Sequence, residues 1–174
     1  FHQKKYYVSG YDRNESQFTL QLKSKGIEVQ HNLSTSAIPR EFLDNKNTLL
    51  VYTPAIKKDH QLFKFFITKK IKTMKRAAVL KEISFNYNVI AIAGTHGKTT
   101  VSVMLAHILK ESGYEPNAFF GGLSKNYNAN FLIGSSNYMI IEADEYDRSF
   151  LQLNPAISLI TSIDKDHVDT YVSE

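Results

Sequence analysis

The chain contains no cysteine. Disulfides, thiol nucleophiles and thiolate metal sites are therefore excluded, and the composition fits a reducing cytoplasm. No apolar run approaches the roughly 20 residues that cross a bilayer, and the first residues lack a secretory signal pattern. A cytoplasmic location without membrane insertion is expected. Charge of one sign is also scarce: 21 Lys and Arg against 17 Asp and Glu leave a formal charge of +4. The lysines lie in scattered pairs such as Lys4-Lys5, Lys57-Lys58 and Lys69-Lys70, not in one block. Nothing in this balance requires a nucleic-acid partner, and none is expected; anionic small molecules suit it equally well. An opening methionine is missing too, since the chain starts at Phe1 and stops at Glu174 just past an acidic cluster. The expectation is a piece of something longer, holding one domain or two small ones in 174 residues.

What is present centres on Val89-Ile90-Ala91-Ile92-Ala93-Gly94-Thr95-His96-Gly97-Lys98-Thr99-Thr100. A β-branched apolar run passes through a glycine-bearing turn into an amphipathic segment over residues 101–111. Strand, turn and helix form the context in which Gly-Lys-Thr reads as a phosphate site. The glycines let backbone N–H groups approach an anion, and the helix N-terminus adds partial positive charge. Lys98 is expected on the β- and γ-phosphates of ATP, and the Thr99 hydroxyl on Mg2+. The general pattern places a further glycine five residues before Gly97, where this chain has Ile92. The plainer alternative is a strand-to-helix turn that merely contains Gly-Lys-Thr.

The rest of the chain reads as α/β. Short β-rich runs are expected at residues 5–9, 27–29, 48–52 and 73–74, and helices at 16–25, briefly after Pro39, at 59–71 and at 76–85. This describes a Rossmann-like unit lacking its first strand and glycine turn, with helices on the faces of a parallel sheet. A boundary near residues 84–88 gives domains 1–86 and 87–174, the second being part of a P-loop ATPase-type parallel-sheet domain. Asp12, just past the first strand, stands where such folds place an acidic residue over a ribose; a simple turn aspartate is the alternative. Further strands are expected at 118–120, leaving at Gly121-Gly122, and at 138–141 and 156–160, with 127–130 a loop.

Two of these strands run into acidic clusters, Glu142-Ala143-Asp144-Glu145 and Asp164-Lys165-Asp166-His167. Ligands of open α/β sheets bind at the carboxyl ends of strands, so both clusters are expected near the phosphate loop. Glu142 follows its strand directly, where an acidic residue holds Mg2+ beside a P-loop hydroxyl. For Glu142 and Asp147 the alternative is a solvated acidic loop. His167 is read as a metal ligand rather than a structural or solvated histidine, because a neutral imidazole can bind a divalent ion. His96 contacts ligand or simply fills the turn. His2, His31, His60 and His107 are read as surface or core residues.

Taken in order, Gly94-Thr95-His96-Gly97-Lys98-Thr99-Thr100, Glu142-Ala143-Asp144-Glu145 and Asp166-His167-Val168-Asp169-Thr170-Tyr171 resemble the Mur ligases. Val8-Ser9-Gly10-Tyr11-Asp12 and Tyr52-Thr53-Pro54-Ala55-Ile56 are similar to the UDP-binding domain of that family. The resemblance runs over essentially the whole chain. It implies a cytoplasmic ATP-dependent carboxylate–amine ligase of peptidoglycan precursor synthesis, joining L-alanine to the lactyl carboxylate of UDP-N-acetylmuramate through an acyl phosphate. The alternatives are the tripeptide-recycling branch of the same family and a nucleotide-binding switch without ligation.

By the same resemblance, residues 94–100 bind ATP, Lys98, Glu142 and His167 are catalytic, and Thr99 and Glu142 ligate one Mg2+ with His167 on a second. Asp12, Thr53, Ala55 and Ile56 would contact the UDP-sugar. A third domain, which helps bind ATP and the amino acid, would lie outside these residues, so the 174 residues alone are expected to be inactive. The chain departs from the family pattern at Tyr146, where serine is usual, and at Ser162, where asparagine is common. The run Ser149-Phe150-Leu151-Gln152-Leu153-Asn154-Pro155 resembles the alanine-adding branch more closely.

Overall fold

The computed structural model describes residues 1–2, 5–143 and 152–164. The chain divides into two compact units, Phe1–Thr73 and Met74–Glu174.

The first unit begins with β1 (Ser9–Tyr11), α1 (Gln17–Ser24) and β2 (Glu28–Gln30). β1 and β2 pair in parallel, Ser9 opposite Glu28. Ser16 starts α1 with a reciprocal cap: its hydroxyl accepts the Thr19 N–H at 3.3 Å, and its own N–H donates to the Thr19 hydroxyl at 2.8 Å. This is the capping box, with threonine in the place of the usual glutamate. Two short 3-10 turns, one of them following Pro39, lead to β3 (Leu49–Tyr52) and α2 (Gln61–Thr68). β4 (Lys72–Lys75) pairs with β3.

This unit differs from the sequence reading in three ways. The first strand lies at Ser9–Tyr11, not at 5–9, because pairing extends only as far as β2 reaches. α2 ends at Thr68, short of residue 71, because Lys70 takes a left-handed φ of 56° that no helix continues through. The strands form two separate two-stranded sheets, since no described strand lies between β1 and β3 to join them.

The second unit contains α3 (Arg76–Ser84), β5 (Asn88–Ala93), α4 (Lys98–Glu111), β6 (Asn117–Ser124), β7 (Ala129–Leu132), β8 (Tyr138–Glu142) and β9 (Ile157–Ile160). The five strands form one sheet in the order β7-β6-β8-β5-β9. The chain leaves β5 through α4, skips a place to form β6, and later returns β8 into the gap. All these pairings are parallel except that of β7, which folds back antiparallel on β6.

Both faces of the sheet are covered, which explains why β5 and β8 are apolar throughout instead of alternating. Ile90, Ile92 and Ile140 pack with Ala106 of α4, Ala118 and Phe120. Val89, Met139 and Ile141 point the other way, onto Leu80 and Ile83 of α3. β6 runs on through Gly121-Gly122, which the sequence suggested as a loop exit, and turns through Asn128 at φ 47° into β7. Residues 129–130, expected in a loop, are strand because β6 offers its free edge; a four-residue edge strand with Asn130 on it carries little local signal.

Ile140 is fully buried in the middle strand of the sheet. Ile140→Ala is expected to cost about 2–5 kcal/mol, measured as a lower denaturation midpoint at unchanged slope. A loss under about 1 kcal/mol would mean that this cluster collapses readily around the change.

Candidate functional site

The loop between β5 and α4 takes its shape from two glycines. Gly94 has φ +123° and lies flush against the exit of β9; a Cβ there would collide with the Thr161 hydroxyl and come within 2.8 Å of Ser162 backbone atoms. Gly97 has φ +79° and is the N-cap of α4. Both conformations favour glycine. Lys98, Thr99 and Thr100 thus form the first helical turn, where backbone N–H groups lack intrahelical partners and the helix dipole is positive.

Lys98 Nζ donates to the Gly94 carbonyl at 2.6 Å and to the Thr95 carbonyl at 3.3 Å, which ties its ammonium group across the loop. The Thr99 hydroxyl lies 3.0 and 2.9 Å from the two carboxylate oxygens of Glu142 and donates its proton to them. The same carboxylate accepts the backbone N–H of Gly121 at 2.6 Å. Three elements therefore converge on Glu142: its own strand β8, the first turn of α4, and β6.

Hydroxyl and carboxylate oxygens are the hard donors that Mg2+ selects, so Thr99 and Glu142 fit that ion. Among the described residues no group of three or more His, Cys, Asp or Glu side chains is gathered for a metal. His167, with Asp144, Glu145, Asp147 and Asp166, lies outside the described residues. The strand leading toward it is placed: β9 pairs with β5 up to Ala93 opposite Ile160, bringing its exit against the loop. His96 Nε2 lies 3.9 Å from the Asp164 carboxylate, and both side chains are well exposed.

In the first unit Asp12 acts as a turn residue. Its carboxylate accepts the Asn14 N–H at 3.0 Å, and its carbonyl lies 2.9 Å from His31 Nδ1. Thr53, Pro54, Ala55 and Ile56 form a turn at the end of β3, closed by the Ile56 N–H on the Thr53 carbonyl at 3.0 Å. Beside Asp12, the Tyr11 ring meets the His60 ring edge-on with centroids 5.2 Å apart. Nothing in the sequence singled out Gly121, Thr161 or Ser162 as site residues. Their contacts span 21 to 68 residues, beyond the reach of local pattern, although the glycine pair at 121–122 was visible.

Comparison with known proteins gives two family matches. Residues 1–88 match the model described as Mur ligase family, catalytic domain, and residues 92–174 match the Mur ligase middle domain. The chain belongs to the Mur ligase family. A UDP-N-acetylmuramate–L-alanine ligase of Christiangramia forsetii is 43% identical over 172 residues, covering 98% of this Mur ligase chain and 38% of the relative. One of Phocaeicola vulgatus is 47% identical over 165 residues, covering 94% and 36%. The chain thus spans well under half the length of the relatives it matches.

Solved structures with the same fold include two ligases. The UDP-N-acetylmuramate-alanine ligase of Thermotoga maritima superposes with TM-score 0.84 at 24% identity, covering 99% of this chain and 39% of the other. A UDP-N-acetylmuramate:L-alanyl-gamma-D-glutamyl-meso-diaminopimelate ligase of Neisseria meningitides gives 0.85 at 24% identity, covering 98% and 57%. At that identity the likeness concerns the fold alone.

A Cβ on Gly121 would lie 2.5 Å from a Glu142 carboxylate oxygen. The flexible end of Glu142 gives way, so Gly121→Ala is expected to leave thermal stability nearly unchanged while weakening Mg2+ binding about 10- to 100-fold. Mg2+ titration of the variant checks this, and wild-type Mg2+ dependence would remove Glu142 as a candidate Mg2+ ligand.

Proposed function

We propose that the full-length protein is a cytoplasmic, ATP- and Mg2+-dependent ligase that joins L-alanine to the lactyl carboxylate of UDP-N-acetylmuramate in peptidoglycan precursor synthesis. The observation that carries this reading is the Thr99–Glu142 contact at the head of a helix that springs from a Gly-Lys-Thr loop. Identity of 43–47% to ligases named for L-alanine supports that amine over a tripeptide.

Phosphoryl transfer asks the protein mainly for positioning and charge neutralisation. In this reading the loop at residues 94–100 cradles the phosphates of ATP, with Lys98 meeting the charge on the β- and γ-groups. Thr99 and Glu142 would hold Mg2+, which would supply charge neutralisation at the phosphoryl oxygens. His167 would hold a second Mg2+ for the substrate carboxylate. The carboxylate of UDP-N-acetylmuramate takes the γ-phosphoryl group, and the amine of L-alanine then displaces phosphate from the acyl phosphate.

The domain proposal follows the same division of labour. Residues 1–86 would bind the UDP-sugar and 87–174 would bind ATP. Asp12, Thr53, Ala55 and Ile56 stand at the carboxyl ends of β1 and β3, the edge on which open α/β sheets bind ligands. Because Asp12 already closes its own turn, its remaining carboxylate oxygen is the atom proposed for a ribose hydroxyl.

UDP-N-acetylmuramate-dependent phosphate release with L-alanine and MgATP tests the reading. Lys98→Ala in the full-length protein is expected to lower that rate at least about a hundredfold with an unchanged circular dichroism spectrum. A fully active Lys98→Ala enzyme would end the assignment. Release driven by tripeptide and not by L-alanine would move the protein to the recycling branch.

A further inference from the structure

We infer that Thr161 and Ser162, at the exit of β9, are positioning residues that hold the phosphate loop in its nucleotide-binding shape by gripping the His96 peptide. The inference rests on the reading of residues 94–100 as the ATP loop. The Ser162 hydroxyl accepts the His96 N–H at 2.9 Å. The Thr161 hydroxyl lies 2.5 Å from the His96 carbonyl and 3.1 Å from that of Ala93, and donates to them. The preceding peptide is tied as well: the Thr95 N–H donates to the Ser162 carbonyl at 2.9 Å, and the Thr95 hydroxyl accepts the Asp164 N–H at 2.9 Å.

With both its N–H and its carbonyl held, His96 restrains two consecutive peptide units, and the direction of such N–H groups is what makes a turn an anion-binding nest. Such outside support has a reason in this chain. The general phosphate loop has a glycine at the place of Ile92, but here β5 stays regular through Ile92 and Ala93, both paired to neighbouring strands. The bend is therefore compressed into residues 94–97, with Gly94 pressed so tightly on Thr161 and Ser162 that no side chain fits. On the helix side Lys98 ties the carbonyls of Gly94 and Thr95. The His96 peptide is bound from β9.

The test is steady-state kinetics of the full-length enzyme with ATP varied, together with the Kd of the non-hydrolysable analogue AMP-PNP with Mg2+. Ser162→Ala is expected to raise KM for ATP and that Kd about five- to tenfold, the scale of one hydrogen bond, with kcat within about twofold of wild type. Thr161→Val shifts both in the same direction, while Thr161→Ser and Ser162→Thr, which keep the hydroxyls, stay near wild type. Unchanged or lower KM and Kd in Ser162→Ala and Thr161→Val overturn the inference, as does a fall in kcat at constant KM. If Ser162→Ala does not fold, Thr161→Val decides by the same criterion. Lys98→Ala separates the two levels: an inactive Lys98→Ala beside inert Ser162 and Thr161 variants sinks only the positioning role, whereas an active one sinks the ATP reading itself.

Discussion

Ile92 of β5 lies opposite Glu142 of β8, and this parallel register governs the site. Side chains alternate between the faces of a sheet, so residues two apart share a face. Ile140 packs on the α4 side, which directs Glu142 to the same side, where the first turn of α4 presents Thr99. A slip of one residue would carry the carboxylate to the α3 face and leave Thr99 facing an apolar strand end. Burial enforces the register: Ile92, Ile140 and Ile141 are fully buried, and a slip would exchange their environments.

Local electrostatics refines what the register delivers. A partly buried carboxylate needs partners, and hydrogen bonds to an ionised group are stronger than those between neutral groups. Glu142 finds a hydroxyl from one neighbour and a backbone N–H from another. Gly121 supplies that N–H because, without a Cβ, it allows the carboxylate to approach β6. The irregular pairing of β6 with β7 between Phe119 and Ser124 covers the same stretch.

The two units differ in how they are held together. Among the described residues of the first unit, the buried hydrophobic side chains are Ile38, Leu62 and Ile71, whereas the second packs clusters on both faces of its sheet. The first unit also carries local caps and turns such as the Ser16–Thr19 box, the Asp12 turn and the Asp44 turn. The Asp44 carboxyl is held below the usual range chiefly by the Lys46 N–H, then by the Asn47 amide.

Local sequence was enough to specify the strand, turn and helix around Lys98, the helices α1 and α3, and the buried strands β5 and β8. Apolar runs, capping residues and glycine positions are short-range signals that the chain carries wherever it folds. Sequence alone did not reveal the edge strand β7, the separation of the first unit's strands into two sheets, or the early end of α2 at Lys70. It also gave Gly121, Thr161 and Ser162 no role. Those features depend on which strand edge is open, how far a partner extends and which backbone passes within hydrogen-bonding distance. Only the tertiary structure could decide them: β7 needs the open edge of β6, α2 stops where Lys70 turns left-handed, and Gly121, Thr161 and Ser162 act through contacts between segments 21 to 68 residues apart.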